Sequence, residues 1–315
     1  MFIRLKWCDR KVSNKIKAFA DLFRLHFFFV WPMLFCAGLF FGFILNGNFS
    51  FTLILQAIFI AFFGFEAGLV LNDVVDANLD KNELPTEKKL TKYWRPFGRR
   101  PISEGLISQP KATAVFILLV TITSVIIATL PFPNSLYVLS IMFVCYGLEI
   151  FYQIKKRNEK TPIAQVIGRV DFALFLTAGY LCVGSPDIYM LALFLFFYPL
   201  ALAHLGINDL ADVANDKAKG MNTPTTLYGL KATAYWILAF TIFHFAMATI
   251  FLYFLGSYLA IAGFAISFLL ISIANATVLK KKTAEAGIKI LPVFHLSMLI
   301  YAITIIVTYA VLTIF

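Results

Sequence analysis

Two stretches of this chain concentrate carboxylates at a fixed spacing. The first is Asn72-Asp73-Val74-Val75-Asp76-Ala77-Asn78-Leu79-Asp80 and the second is Asn208-Asp209-Leu210-Ala211-Asp212-Val213-Ala214-Asn215-Asp216. Both read N-D-x-x-D-x-x-x-D, and the second begins 136 positions after the first. On a helix, residues four apart stack on one face. The spacing therefore predicts one column of Asn72, Asp76 and Asp80 and another of Asn208, Asp212 and Asp216, with Asp73 and Asp209 flanking them. Carboxylates crowded in this way repel unless cations fill the gap. Mg²⁺ suits the arrangement, because it takes a few carboxylate oxygens, keeps waters and completes its shell with substrate phosphates. Two such clusters facing each other would hold a diphosphate through two bridging Mg²⁺, which would offset charge on a departing pyrophosphate. Acids beside a basic loop can also be solvated surface, paired with Lys81, Lys88 or Lys217. Two matching nine-residue patterns, in a chain with only 17 Asp and Glu, favour a site. An EF-hand is excluded, since neither copy has the loop glycine or the distal Glu.

Each motif directly follows an apolar run, Phe51 to Leu71 and Ile188 to Ile207. Hydrophobic residues make up 60% of the chain and charged residues 14%, with a mean hydropathy of +0.82; a soluble domain is about 25% charged. Apolar runs long enough to cross a bilayer as helices recur at roughly 22–45, 51–71, 111–130, 136–154, 163–183, 188–207, 232–255, 258–279 and 289–313. The pattern predicts an all-α membrane protein, a single polytopic domain over 1–315, with nine transmembrane helices around a central cavity. A β-barrel would show alternating segments of about 10 residues instead. Because the motif repeats four helices later on the same side, two similar four-helix halves related as a parallel repeat are expected. Cap loops are expected at about 72–110 and 208–231.

The 27 Lys and Arg all fall on one side of this arrangement: 7 in 1–24, 8 in 81–111, 5 in 155–169, 3 in 217–231 and 4 in 280–289. Positive residues concentrate in cytoplasmic loops. The expected protein is integral to the cell or inner membrane, with its N-terminus and both motif loops cytoplasmic and its C-terminus outside. The net charge of +10 then reports orientation and attraction to anionic lipid heads, and there is no nucleic-acid motif. The four cysteines show no C-x-x-C; Cys36, Cys145 and Cys182 lie in apolar runs and Cys8 in the basic N-terminal arm, so they read as packing residues. No cleavable signal peptide is expected, because Phe27 to Leu45 is long for one and lacks an A-x-A-like exit.

The longest loop, between the second and third spans, sets Lys88, Lys89, Lys92, Arg95, Arg99 and Arg100 beside Tyr93, Trp94 and Phe97. It reads as a cap over the cavity mouth with Arg99 or Arg100 gripping phosphate; a basic lipid-surface loop accounts equally well for any single lysine. Tyr152 and Lys156, four apart at the end of the fourth span, offer a hydroxyl and an ammonium to a phosphate. Arg24 at the entry to the first span joins this diphosphate-binding set. Charges inside membrane segments are costly and mark functional candidates, here Arg169, Asp171, Glu66 and Glu149. Arg169 and Asp171 are two apart and are not expected to pair with each other. His204, His244 and His295 read as isolated, hydrogen-bonded packing residues and not as metal ligands.

These motifs together resemble the UbiA-type intramembrane prenyltransferases. Arg100-Pro101-Ile102-Ser103-Glu104-Gly105-Leu106-Ile107-Ser108 is similar to that family's R-P-L-P-S-G-x-I-S, and Tyr152-x-x-x-Lys156 to its Y-x-x-x-K. Asp212-x-x-x-Asp216, followed by Gly220 and then Thr225 or Thr226, resembles its second motif region. The resemblance implies transfer of a polyprenyl group from its diphosphate to a hydrophobic aromatic or lipid acceptor inside the bilayer, with Mg²⁺ and pyrophosphate release. It implies one Mg²⁺ on Asn72, Asp76 and Asp80 and the other on Asp212 and Asp216, Asp209 assisting, with Arg100, Tyr152 and Lys156 on the diphosphate. An Asp outside the two columns, Asp73 or Asp209, is then the expected catalytic base. The chain departs from the family where N-R-P reads Asn82-Glu83-Leu84-Pro85, where about a dozen extra residues precede Arg100-Pro101, and where Ser103 and Glu104 replace Pro and Ser.

Two other classes compete. Transfer of a phosphoribosyl or other sugar phosphate to a polyprenyl phosphate would share the Mg²⁺ and the diphosphate donor, and Leu84-Pro85-Thr86-Glu87-Lys88-Lys89 resembles the H-P-T-K-R of that branch. Its weak point is the strongly acidic second motif. A non-enzymatic transporter would carry charges near mid-membrane on broken helices, whereas these acids cluster at helix ends.

Overall fold

A backbone in hydrocarbon must satisfy its own hydrogen bonds, and this chain does so with helices. The structure is a computed structural model that describes residues 14–47 and 49–314; Cys8 and the basic arm around it lie outside the described residues. Helix α1 (14–22) precedes α2 (Val30–Asn46) and α3 (Phe51–Val75). The first long loop carries α4 (Lys89–Trp94). Then come α5 (Gln109–Ala128), α6 (Asn134–Lys155), α7 (Val170–Tyr180) and α8 (Ile188–Ala211), the short α9 (Val213–Ala218), and α10 (Pro224–Leu255), α11 (Tyr258–Lys281) and α12 (Ala284–Ile314). There is no β-strand among the described residues.

Eight helices among the described residues are long and apolar enough to cross a membrane. The segment expected to supply a ninth span, 163–183, is not one long helix. A π-helical turn, Ala164–Gly168, runs through Arg169 into the 11-residue α7. The break has a physical reason in Arg169, a buried cation that ion-pairs with Glu149 of α6 and, at 3.2 Å, with Asp171. Arg169 and Asp171 thus do pair, against the sequence expectation, because Arg169 sits at the junction and outside regular helical geometry (φ −89°, ψ 11°). Gly168 allows the turn to close on α6: a Cβ there would lie 2.6 Å from Cβ of Tyr152. The span expected to start at 232 begins earlier, at Pro224, but Gly229 interrupts it with φ 82°.

Helix α2 packs against α3, α7 and α12, and α8 against α7, α10 and α12. Small residues at crossings are what lets membrane helices approach. At the α2–α7 crossing a Cβ on Gly179 would overlap the Phe35 carbonyl, and one on Gly38 would overlap the Leu176 carbonyl. Both obstacles are backbone, so no side chain can swing aside. Gly179→Leu is expected to destabilise by at least about 3 kcal/mol, lowering the thermal midpoint of detergent-purified protein, whereas an exposed α5 change such as Ile117→Leu should leave it in place.

Candidate active site

The two motifs fold alike. Helix α3 ends at Val75 and α8 at Ala211, with Asp76 (φ −91°, ψ 3°) and Asp212 (φ −105°, ψ 12°) in the same capping conformation. In the first, Asp76 N–H donates to the Asn72 carbonyl at 3.0 Å and Asp80 N–H to the Asp76 carbonyl at 2.9 Å; in the second, Asp212 N–H to Asn208 and Asp216 N–H to Asp212 are both 2.9 Å. The i to i−4 path is kept, but neither column lies on one continuous helix. Each is broken at its middle aspartate, so the three side chains diverge to different partners.

Asn72 donates its side-chain amide to Glu149 at 2.8 Å. Asp76 receives Lys156 at 2.9 Å and Arg157 at 3.0 Å. Asp80 receives Arg100 at 2.7 Å and Lys219 at 2.8 Å. Asp73 accepts from Arg24 at 3.2 Å and from Arg95 at 2.8 Å. The second motif has a different environment. Asp212 accepts from the Asn215 amide at 2.7 Å and Asp216 from the Thr223 hydroxyl at 3.1 Å. Oδ2 of Asp209 is buried with no partner among the described residues. Asn208 accepts from the Trp94 indole at 3.2 Å.

These contacts weld the two motif regions together. Lys219, which follows the second motif, reaches Asp80 of the first. Asn215 accepts the Leu84 N–H at 3.0 Å and donates to the Glu87 carbonyl at 2.9 Å, tying α9 to the long loop. Asn222 N–H donates to the Lys156 carbonyl at 2.7 Å, tying the second loop to α6. Asp21 of α1 accepts the Phe97 and Arg99 N–H groups at 2.7 and 3.2 Å, bracing the long loop from the other side.

The electrostatics follow the partners. Burial alone would raise Asp80, but Arg100 and Lys219 outweigh it and hold the carboxyl at about 2. Burial raises Asp212, and burial with the Asp212 charge raises Asp216 to about 7. Burial and the neighbouring Arg95 lower Arg24 to about 10, with Asp73 offsetting part of the effect. The first motif is therefore satisfied by the chain's own cations, and the second is short of positive charge.

A cavity of ≈ 220 Å³ lies between the motifs. Asn72 and Asn208 both line it, as do Arg24, Trp94, Glu149 and Arg169. Part of its wall is aromatic: Trp31 stacks on Phe65 at 3.7 Å, and Phe65 meets Phe175 at 5.0 Å. Tyr152 borders the region through Arg169, whose guanidinium lies 3.4 Å from the ring centroid, and through Lys156 at 4.7 Å. Asp73 and Asp209 are buried but do not line this cavity. Arg100 is drawn into the site. Arg99 meets Asp21 only through its backbone N–H and lines neither this cavity nor the smaller pocket beside it.

Whether a divalent cation fits can be judged from these side chains. Among the described residues, no three acidic or histidine side chains already stand close enough to enclose a metal. Among the described residues the second motif nevertheless offers three carboxylates, Asp209 and Asp216 buried and Asp212 half-buried, none in an ion pair with Lys or Arg and one with an unpartnered oxygen. That donor set is hard, anionic and undercompensated, which fits Mg²⁺. At the first motif a metal would compete with Lys156, Arg157, Arg100 and Lys219.

The sequence profile of the UbiA prenyltransferase family matches residues 29–299. The chain belongs to the UbiA prenyltransferase family. No curated protein matches significantly. Among solved structures, an apo UbiA homologue from Aeropyrum pernix K1 superposes with a TM-score of 0.69 at 17% identity, covering 92% of this chain and 98% of that one. A UbiA homologue from Archaeoglobus fulgidus bound to GPP and Mg²⁺ gives 0.60 at 13% identity, covering 92% and 99%. A structure described under digeranylgeranylglyceryl phosphate synthase in membranes gives 0.66 at 21% identity, covering 94% and 98%. At these identities the likeness is one of fold. Family and fold together make this an integral membrane protein with a prenyltransferase architecture.

Several members of the site are not evident from sequence spacing. Glu149 and Arg169 stand out as intramembrane charges, but that Glu149 holds Asn72 does not. Lys219 reads as one more loop lysine. The histidines are not isolated: Nε2 of His204 and His295 are 2.7 Å apart, and the Tyr93 hydroxyl lies 2.6 Å from Nδ1 of His295. His204 lines the cavity. His244, bonded to the Phe196 carbonyl and the Tyr301 hydroxyl, packs as expected.

Proposed function

We propose that this protein transfers a polyprenyl group from its diphosphate to a hydrophobic acceptor inside the membrane, releasing pyrophosphate. The observation that carries the reading is that the leading asparagines of the two acidic motifs, Asn72 and Asn208, line one cavity together with Arg24, Arg169 and the aromatic rings of Trp31, Phe65 and Phe175. An amphiphilic donor with an anionic head and an apolar tail matches that mixed lining. The A. fulgidus homologue that binds GPP and Mg²⁺ supports the donor class. The positive-inside distribution of Lys and Arg supports a cytoplasmic N-terminus and motif loops, with the C-terminus outside. The packing of α2 on α3 and α3 on α5 recurs as α7 on α8 and α8 on α10, which supports two related halves.

In this mechanism Asn72, Asp76 and Asp80 would hold one Mg²⁺, and Asn208, Asp212 and Asp216 the other. When bound, magnesium supplies positive charge to the leaving diphosphate. Arg100 and Lys156 hold diphosphate oxygens, with the Tyr152 hydroxyl beside them. The allylic C–O bond breaks with its electron pair going to the diphosphate. Trp31, Phe65 and Phe175 keep water from the resulting cation and turn ring faces toward it. The acceptor's electron pair forms the new bond, and its proton passes to a carboxylate. Of Asp73 and Asp209, Asp209 is the better base, because both oxygens of Asp73 are engaged by arginine.

Lys156→Met is expected to raise the KM for a prenyl diphosphate by roughly tenfold, since one charge-assisted contact is lost; an unchanged KM removes Lys156 from the diphosphate site. The donor class is tested by thermal stability in Mg²⁺. An isoprenyl diphosphate should raise the midpoint and phosphoribosyl diphosphate should not. The reverse result would replace prenyl transfer by sugar-phosphate transfer, and turnover of neither would favour a transporter.

A further inference from the structure

Histidines of α8 and α12 meet the short helix α4 in a circuit of polar contacts that the mechanism leaves unused. Tyr93 and Trp94 are the last two residues of α4. The Tyr93 hydroxyl lies 2.6 Å from Nδ1 of His295 on α12, and Nε2 of His295 lies 2.7 Å from Nε2 of His204 on α8. One turn further along α8, Asn208 sets its amide nitrogen 3.4 Å from Nε2 of His204 and 3.3 Å from the His204 carbonyl. The Trp94 indole donates to Oδ1 of Asn208 at 3.2 Å and closes the circuit on α4.

The indole settles every direction in this circuit. An indole N–H can only donate, so Oδ1 of Asn208 faces Trp94 and the amide nitrogen faces His204. That nitrogen is also a donor only, so Nε2 of His204 accepts. With neutral imidazoles, Nε2 of His295 then carries a hydrogen and donates to His204, Nδ1 of His295 carries none, and the Tyr93 O–H donates to it. Burial pushes Tyr93 up to about 12, so its hydroxyl keeps that hydrogen at neutral pH. His204 Nδ1 holds the last hydrogen, buried and without a partner among the described residues. Hydrogen bonds chained in this way polarise one another and favour one arrangement. Aromatic packing adds to it: Phe27 lies 5.5 Å from Tyr93, 5.3 Å from Trp94 and 5.7 Å from His295.

Two ends of the circuit belong to the site. Trp94 and Asn208 line the central cavity, and Trp94 also lines a smaller pocket beside it. His295 lines neither, yet it bonds toward both ends. We propose that His295 is a positioning residue for the reaction: through Tyr93 it holds α4, and with it Trp94, against the cavity, and through His204 it orients Asn208. The Asn208 arm rests on the prenyl-transfer reading; the α4 arm does not.

The test separates the two arms. An asparagine amide reaches about as far as Nδ1 of an imidazole, and a glutamine amide about as far as Nε2. His295→Asn therefore keeps the Tyr93 contact and drops His204, His295→Gln does the reverse, and His295→Phe drops both while keeping a ring. Two readouts are taken on full-length protein in detergent. Trypsin cleavage after Lys92, exposed on α4, reports release of that helix without any turnover. The Mg²⁺ concentration that gives half-maximal pyrophosphate release from a prenyl diphosphate reports Asn208. Cleavage should be about tenfold faster in His295→Gln and His295→Phe, the equivalent of one hydrogen bond lost, and as slow as wild type in His295→Asn. The Mg²⁺ requirement should rise about tenfold in His295→Asn and His295→Phe and stay in place in His295→Gln. His244, a buried histidine outside the circuit, serves as control: His244→Phe should move neither readout, whatever it does to the thermal midpoint. Equal losses in His295→Asn and His295→Gln that follow the thermal midpoint, or a readout moved as far by His244→Phe, make His295 a packing residue and overturn the proposal. An α4 as resistant as wild type in all three His295 variants overturns it too. A wild-type protein that releases no pyrophosphate overturns the transfer reading and the Asn208 arm with it, while trypsin still decides the α4 arm.

Discussion

Asp212→Ala is expected to lower Mg²⁺-dependent pyrophosphate release by at least about 10²–10³-fold while the protein still inserts and purifies. Removing one preorganised charge-stabilising group costs that much where it acts on the developing charge. Asp212 caps α8 and, among the described residues, its carboxylate is held only by Asn215, so its loss breaks no ion pair there and the fold should survive. Its carboxylate is one of three in a motif without Lys or Arg partners, and a divalent cation has most to gain there. Asp76→Ala should cost as much activity but behave differently in stability, because it leaves Lys156, which is buried, without its counter-ion. Initial rates with a prenyl diphosphate, in Mg²⁺ and in EDTA, check both. Activity surviving either substitution would remove the two-motif reading.

The largest structural effect is expected at Glu149. This carboxylate, inside α6, accepts from Asn72 at 2.8 Å, from Gln153 at 2.5 Å and from Arg169. Glu149→Leu would strand a buried guanidinium with only Asp171 at 3.2 Å and release Asn72 into the cavity. Breaking a buried pair by removing one partner costs about 3–5 kcal/mol, so the thermal midpoint should fall by about 10 °C. Glu149→Gln keeps a side-chain oxygen for Asn72 and should fall less in stability. Glu149→Leu should also lose pyrophosphate release, because Asn72 is no longer fixed, whereas Glu149→Gln should retain part of it. A fully active, fully stable Glu149→Leu would show that the Glu149–Arg169–Asp171 cluster neither holds the fold nor positions the first motif.

What could be read from the sequence is what local spacing encodes. Apolar runs announce the long helices, and the twin N-D-x-x-D-x-x-x-D announces paired sites, because composition and i, i+4 periodicity are local properties. The broken columns were hidden for the converse reason. Nothing in Asn72–Asp80 marks Asp76 as a helix end; the tertiary pull of Lys156 and Arg157 on Asp76, and of Arg100 and Lys219 on Asp80, accompanies that end. The interruption at Arg169 was likewise invisible as a break, since its cause is a counter-ion on another helix. Partners separated by long stretches of chain, such as Lys219 with Asp80 or Tyr93 with His295, carry no sequence signal at all. The two chemistry-bearing loops were legible as loops, but not the way Asn215 and Asp21 pin the first of them in place.

The most direct measurement of the central claim follows a radiolabelled isoprenyl diphosphate incubated with the purified protein, Mg²⁺ and a membrane lipid extract. The account predicts that label moves into a new lipid product, with one pyrophosphate released per product and both abolished by EDTA or by Asp212→Ala. Label that stays in the donor, or appears only as the free prenyl alcohol, would contradict it.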